Sequence, residues 1–165
     1  DLDDVHAIDA DDRVTRWLSF DSRTREQSEA SLNGILERAR RQPRTEYYVA
    51  VTLPSDDRVI GFVRLGLGGV KAGKLGFAIH ADHQGKGYAT DAARTITDFG
   101  FCVLGLDRIS AAIGPSNQAS IAVVTKLGMT YEGRIRDHVF TNGTWRDSLL
   151  YSVLETEWRS TPARA

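Results

Sequence analysis

The sequence predicts an α+β fold in which helices cover a mixed sheet, and three observations carry that reading. The first is a succession of apolar, β-branched segments at residues 47–53, 59–67 and 74–80. The second is an alternation that follows: a helical stripe from Gly87 to Val103, a strand over residues 108–113 and a helix over residues 116–127. The third is a closing pair of strands, 129–140 and 145–154, around Asn142-Gly143, a strong type I′ hairpin signal. Strands that run sequentially and then alternate with helices imply a mixed sheet with helices packed on it.

Each element has a local cause. Leu2-Asp3-Asp4-Val5-His6-Ala7-Ile8 has helical character from the outset. Residues 24–40 place Ala30, Leu32, Ile35, Leu36 and Ala39 at roughly helical spacing, and Pro43 ends the run. Tyr47-Tyr48-Val49-Ala50-Val51-Thr52-Leu53 reads as a strand, and Pro54-Ser55-Asp56-Asp57-Arg58 as the turn after it. After Gly87, the residues Ala89, Ala92, Ala93, Ile96, Phe99 and Val103 form an amphipathic stripe. Gly128 stands where a helix ends on a left-handed residue. The stretch 156–165 reads as a frayed polar tail. Neither a linker nor a repeat divides residues 1–165, which read as one domain.

Composition removes several function classes. With 41% hydrophobic and 26% charged residues, the chain has the mix of a globular protein. A net charge of −1 speaks against a nucleic-acid or membrane footprint, which needs clustered positive charge. No run approaches the ~18 apolar residues of a membrane span. The single cysteine, Cys102, allows neither an internal disulfide nor a cysteine zinc site. The acidic start is unlike a signal peptide, so the expected compartment is the cytoplasm and the expected state a monomer or homodimer.

The chemistry concentrates in Gly76-Phe77-Ala78-Ile79-His80-Ala81-Asp82-His83-Gln84-Gly85-Lys86-Gly87-Tyr88-Ala89-Thr90. A strand feeds a glycine-rich turn, and the turn opens a helix. Such a turn exposes backbone N–H groups, and the helix start adds unsatisfied donors and the positive end of its dipole. Together they suit a phosphate or pyrophosphate. The dinucleotide fingerprint fails because Thr90 stands where a third glycine belongs. A phosphate-loop match at Gly68-Gly69-Val70-Lys71-Ala72-Gly73-Lys74 also fails. It ends in Leu75 where a magnesium-holding hydroxyl is required, and it runs into a strand, so it reads as a hairpin turn.

Gln84-Gly85-Lys86-Gly87-Tyr88-Ala89 at a strand-to-helix junction resembles the Q/R-x-x-G-x-G/A signature of the GNAT acetyltransferase family. Asn117-Gln118-Ala119-Ser120, then Lys126-Leu127-Gly128-Met129, resembles its branch of ribosomal-protein alanine acetyltransferases. So do Trp145-Arg146-Asp147, Leu150-Tyr151-Ser152-Val153-Leu154 and Glu157-Trp158. The resemblance implies a mostly antiparallel sheet of six or seven strands with about four helices. It also implies a parallel pair, residues 76–80 beside 108–113, that splays apart near Ala78. The family's opening strand has no counterpart ahead of the first helix. The cofactor implied is acetyl-CoA, with its pantetheine arm against the backbone of Phe77, Ala78 and Ile79. Its pyrophosphate would lie on Gln84, Gly85, Lys86, Gly87, Tyr88, Ala89 and Thr90. Asn117 would bind the pantetheine or orient the amine. No metal is implied. The activity implied is acetyl transfer to a primary amine, either a protein N-terminus or a small molecule such as an antibiotic or polyamine. A non-catalytic acyl-CoA-binding module is the alternative from a different class.

Individual residues divide the task. Ser120 lies one turn after Asn117 and shares its helix face. It matches the serine proposed in that branch to protonate the departing thiolate, and Val124 occupies the position of the family's usual tyrosine. Ser120 has a competing structural reading, a bond back to its own helix backbone. Asn117 has one too, as a helix cap, a task Ser116 can take instead. An amine with a pKa near 10.4 must lose a proton, and Glu132, Asp137, His138 and Asp147 are candidates to accept it. Strand alternation sends Asp137 and His138 to opposite faces, so at most one reaches the site. Asp147 has Arg146 and Arg136 available as ion-pair partners. The branch's proposed base position holds Val139. The acceptor cleft is expected between residues 13–20, with Trp17, and the hairpin 137–147, with Asp137 and His138. His80 and His83 read as loop residues, since no third metal ligand has suitable spacing. Cys102 reads as a small buried hydrophobe and Trp145 and Trp158 as packing residues. Without an activated nucleophile, transfer is expected to be direct.

Overall fold

The computed structural model describes residues 1–160. Three helices come first: α1 (Leu2–Asp9), α2 (Asp12–Thr15) and α3 (Arg25–Ala39). Thr24 starts α3 with a reciprocal cap. Its hydroxyl accepts the Gln27 N–H at 3.3 Å, and the Gln27 side chain accepts the Thr24 N–H at 2.9 Å. Strands β1 (Glu46–Leu53), β2 (Asp56–Leu67) and β3 (Ala72–Ile79) then form an antiparallel meander. The phosphate-loop look-alike is the turn between β2 and β3. A 3₁₀ turn (Ala81–His83) leads to α4 (Tyr88–Cys102), β4 (Arg108–Ile113) and α5 (Gln118–Lys126). The hairpin of β5 (Thr130–Thr141) and β6 (Thr144–Leu154) turns on Asn142 and Gly143, both at positive φ, and α6 (Glu155–Ser160) follows.

The six strands make one sheet in the order β1-β2-β3-β4-β6-β5. The β3–β4 pair is parallel, and every other pair is antiparallel. One face packs on α4 and α5 through Leu65, Ile96, Ile109, Val124 and Val153. Burying each such side chain stabilises the fold by roughly 1.5–3 kcal/mol relative to exposure. The other face carries a smaller cluster, where Ile8, Val14 and Leu18 meet Phe62 and Ala78.

The parallel pair opens into a wedge. Pairing covers Ala72, Gly73 and Lys74 against Arg108, Ile109 and Ser110 and then stops. The contact expected over residues 76–80 therefore lies earlier in β3, and Gly76–Ile79 is its free arm. Each arm is kept by its outer neighbour. β3 stays paired to β2 through Gly61 and Ile79, and β4 stays with β6 through Ile113 and Leu149. At the apex Gly73 permits close approach, since a Cβ there would lie 2.8 Å from Leu65 Cδ1.

Several expectations are corrected. Six α-helices are present among the described residues, where about four were expected, because α2 and α6 are too short to show a periodic stripe. Residues 155–160 are helical; Trp158 packs against the core and donates to Asp98 at 2.6 Å, so the expected fray does not begin at 156. Residues 161–165 of that expected tail lie outside the described residues. Cys102 is exposed, and so is Val103. The buried face of α4 is set by Ala93, Ile96, Thr97, Gly100 and Phe101, and Cys102 falls off it at the helix end.

Candidate active site

The wedge is one wall of a cleft of about 850 Å³. Gly76, Phe77, Ala78 and Ile79 line it from β3, and Ala112 and Ile113 from the far arm. Its floor is the start of α4. Gly87 caps that helix at φ 91°, and Gly85 has φ 76°. The helical bond of Asp91 runs to the Gly87 carbonyl at 3.1 Å. The amides of Tyr88, Ala89 and Thr90 precede it and remain for a ligand. A Cβ built on Gly85 or Gly87 meets nothing within 4 Å, and both residues line the cleft. This cradle fits a pyrophosphate, which needs bare backbone and a positive helix end.

The Gln84 side chain donates to the Ile79 carbonyl at 3.0 Å and ties the loop to the end of β3. Lys86 is turned away. Its ammonium donates to the Asp82 carbonyl at 3.3 Å, and it is absent from the cleft wall. His83 lines the cleft, and its buried Nδ1 has no protein partner. Among the described residues no cluster of three or more potential ligands could hold a metal.

Helix α5 supplies Asn117 and Ser120. Asn117 is itself the cap: its side-chain oxygen accepts the Ser120 N–H at 3.1 Å, while its own N–H reaches the Gly114 carbonyl at 2.9 Å. Ser116 does not take this task, so the capping reading of Asn117 holds, leaving the amide nitrogen for a ligand. Asn117→Ala is expected to cost about 1 kcal/mol of stability, which a thermal melt reads as a drop of roughly 2–4 °C. The Ser120 hydroxyl makes no backbone bond among the described residues, unlike Thr95 and Thr97, which bond back to Asp91 and Ala93. Val124 is fully buried, so that position does not face the cleft.

The opposite side is built by Val14, Trp17, Leu18 and Ser19 against Val139, Trp145, Arg146, Asp147 and Ser148. Asp137 and His138, expected in this wall, do not line it. Three residues, Arg136 to His138, bulge out between the pairs Ile135–Ser148 and Val139–Arg146, and Asp137 adopts φ 48°. Strand alternation therefore fails there. Trp145 was expected to pack; it is exposed at the cleft in an edge-to-face pair with Phe140, centroids 5.3 Å apart. Arg146 donates to the carbonyls of Arg16 and Leu18 and fastens the two walls together. The Asn142 N–H adds a bond to Asp21 at 2.7 Å.

Asp147 pairs with Arg134 at 2.6 Å, not with Arg146 or Arg136. The Asp137 N–H and Arg134 hold its carboxyl below the usual range. Glu132 lies off the cleft, where Arg108 and the Ser152 hydroxyl lower it to about 2.

Residues 1–130 match the acetyltransferase (GNAT) domain family. The chain belongs to the GNAT acetyltransferases. Among curated relatives, the probable N-acetyltransferase YjcK of Bacillus subtilis is 36% identical over 115 residues, covering 68% of this chain and 64% of that protein. The chain thus spans less than two thirds of that relative's length. Among solved structures, a GNAT-family acetyltransferase from Bacillus anthracis superposes with a TM-score of 0.82 at 25% identity, over 95% of this chain and 90% of that one. RimJ of Mycobacterium smegmatis, solved with CoA-disulfide, gives a TM-score of 0.84 at 23% identity, over 98% and 80%. In GNAT terms, the cleft brings together Phe77, Ala78, Ile79, Gln84, Gly85, Gly87, Tyr88, Ala89, Thr90, Asn117, Ser120 and Trp17. Ser148 and Arg146 were missed, because only the hairpin register reveals which face they take.

Proposed function

We propose that this protein transfers the acetyl group of acetyl-CoA to a primary amine by direct attack in a ternary complex. The observation that carries the reading is the wedge between β3 and β4 opening onto the glycine cradle of α4, with a separate apolar wall opposite. The backbone of Phe77, Ala78 and Ile79 takes the pantetheine arm, and the start of α4 takes the pyrophosphate. A backbone N–H near Ala78 steadies the charge that develops on the thioester oxygen. Ser120 offers its hydroxyl to the departing sulfur. Direct transfer is supported by the place of Cys102. It ends a helix of 15 residues whose first turn holds the cofactor, about 21 Å away at 1.5 Å per residue.

The acceptor wall favours an amine with one positive charge and an apolar neighbour, such as a peptide N-terminus. Val14, Trp17, Leu18, Val139 and Trp145 are apolar, and the lining carboxylate Asp147 is already neutralised by Arg134. A polyamine needs unpaired carboxylates for its further ammonium groups. Because the donor is an intracellular metabolite, the reaction belongs in the cytoplasm. The test is an acceptor screen scored by thiol release, comparing short peptides with spermidine and aminoglycosides. Peptide turnover with little from spermidine is expected; the reverse overturns the acceptor assignment, and binding without turnover overturns the enzyme. Ser120→Ala is expected to lower kcat about tenfold, roughly 1.4 kcal/mol of transition-state stabilisation. An unchanged kcat removes the serine from the mechanism.

A further inference from the structure

Ser148 and His138 form a polar pair that the proposed acetyl transfer does not yet use. Ser148 is buried, lines the cleft, and shares a 2.9 Å hydrogen bond with His138 Nδ1. His138 itself is solvent-exposed.

The register places Ser148 at the point of the wedge where chemistry is expected. β4 and β6 pair from Arg108–Leu154 to Ile113–Leu149, so the next step sets Gly114 opposite Ser148. β3 and β4 pair from Ala72–Arg108, so the same count sets Ala78 level with Gly114. Ala78, Gly114 and Ser148 therefore lie in one row across the open wedge. They also share a face. Ile109, Ala111 and Ile113 point into the main core, so Ala112 and Gly114 point the other way. Ala78 packs with Val14 and Leu18 on that other face, and a Cβ on Gly114 would lie 3.8 Å from Trp17. An amine held by Trp17 would thus meet the Ser148 hydroxyl on one side and a thioester at Ala78 on the other.

We propose that Ser148 and His138 form a proton relay that deprotonates the acceptor amine. The inference rests on the acetyltransferase reading above. As the ammonium gives a proton to Ser148 Oγ, the serine passes its own to His138 Nδ1, and the imidazolium releases the Nε2 proton to water. The freed nitrogen lone pair attacks the thioester carbon, the N–C bond forms and the C–S bond breaks. The second amine proton goes to the departing sulfur beside Ser120, so an ammonium and a thioester yield an amide, a thiol and one proton in solvent. The bulge in β5 is what brings His138 to Ser148 while keeping its ring outside the cleft. The charged groups around the relay are otherwise engaged. Arg146 binds the Arg16 and Leu18 carbonyls, Asp147 binds Arg134 and the Asp137 N–H, and Asp21 accepts from Asn142. Arg136 and Asp137 flank His138 within the bulge.

The test is the pH dependence of kcat with saturating acetyl-CoA in wild type, His138→Gln, Ser148→Ala and Ser148→Thr. Glutamine keeps a bond to Ser148 but cannot titrate. The relay predicts that H138Q loses about 100-fold in kcat at neutral pH and loses the ionisation that the wild-type profile shows. The acetyl-CoA dissociation constant should stay unchanged. S148A should match it, the double variant should be no slower than either single one, and S148T should recover most of the rate. A wild-type profile and kcat in H138Q overturn the relay alone. A wild type that acetylates no amine overturns the relay together with the proposed function.

Discussion

Gly87→Val is expected to raise the dissociation constant for acetyl-CoA by about 100-fold or more, equivalent to at least roughly 2.7 kcal/mol. Two effects add. Gly87 holds φ 91°, a conformation that a β-branched residue adopts only with strain. Its missing Cβ also opens onto the cleft, with no protein atom within 4 Å, so the valine methyls would project where the proposed pyrophosphate site needs bare backbone. Calorimetric titration with acetyl-CoA measures the loss, and circular dichroism checks that α4 persists. Lys86→Ala is the matched control: the Lys86 ammonium binds the Asp82 carbonyl away from the cleft, and affinity should scarcely change. Unchanged binding in Gly87→Val would relocate the pyrophosphate.

Arg146→Ala is expected to damage the acceptor side while sparing the donor side. The guanidinium holds the carbonyls of Arg16 and Leu18, and Leu18 lies in the small core beside Trp17. Removing it frees residues 16–21 and leaves a part-buried carbonyl without a partner, a loss of about 2 kcal/mol. The melting temperature should fall by roughly 4–8 °C. The KM for the amine should rise about tenfold, about 1.4 kcal/mol of binding, with acetyl-CoA affinity retained. Arg146→Lys should not restore the wild-type value, because one ammonium cannot span two carbonyls as the planar fork does. An unchanged amine KM would show that the two walls hold their spacing without this link.

The sequence by itself determined whatever depends on neighbours along the chain. The helix over Thr24 to Ala39, the hairpin at Asn142-Gly143, the left-handed Gly128 and the glycine turn ahead of α4 were all legible. Their causes are backbone conformation, capping and short-range periodicity. The glycine cradle proposed for the cofactor was legible for the same reason: it is one contiguous strand–turn–helix segment. Tertiary structure decided the wall opposite it. Asp137 and His138 were placed by strand alternation, and the bulge against Asp147 cancelled it, because extra residues in one strand are defined only by their pairing with the other. Asn117 became the cap although Ser116 was equally suited by type. Cys102 lay outside because the buried face of α4 is chosen by the sheet it packs on, chiefly β2 and β3, not by the helix. The wedge, the row of Ala78, Gly114 and Ser148, and the Arg146 link join segments 34 to 130 residues apart. Pairing register and packing fix such contacts, and neither is a property of any local stretch of sequence.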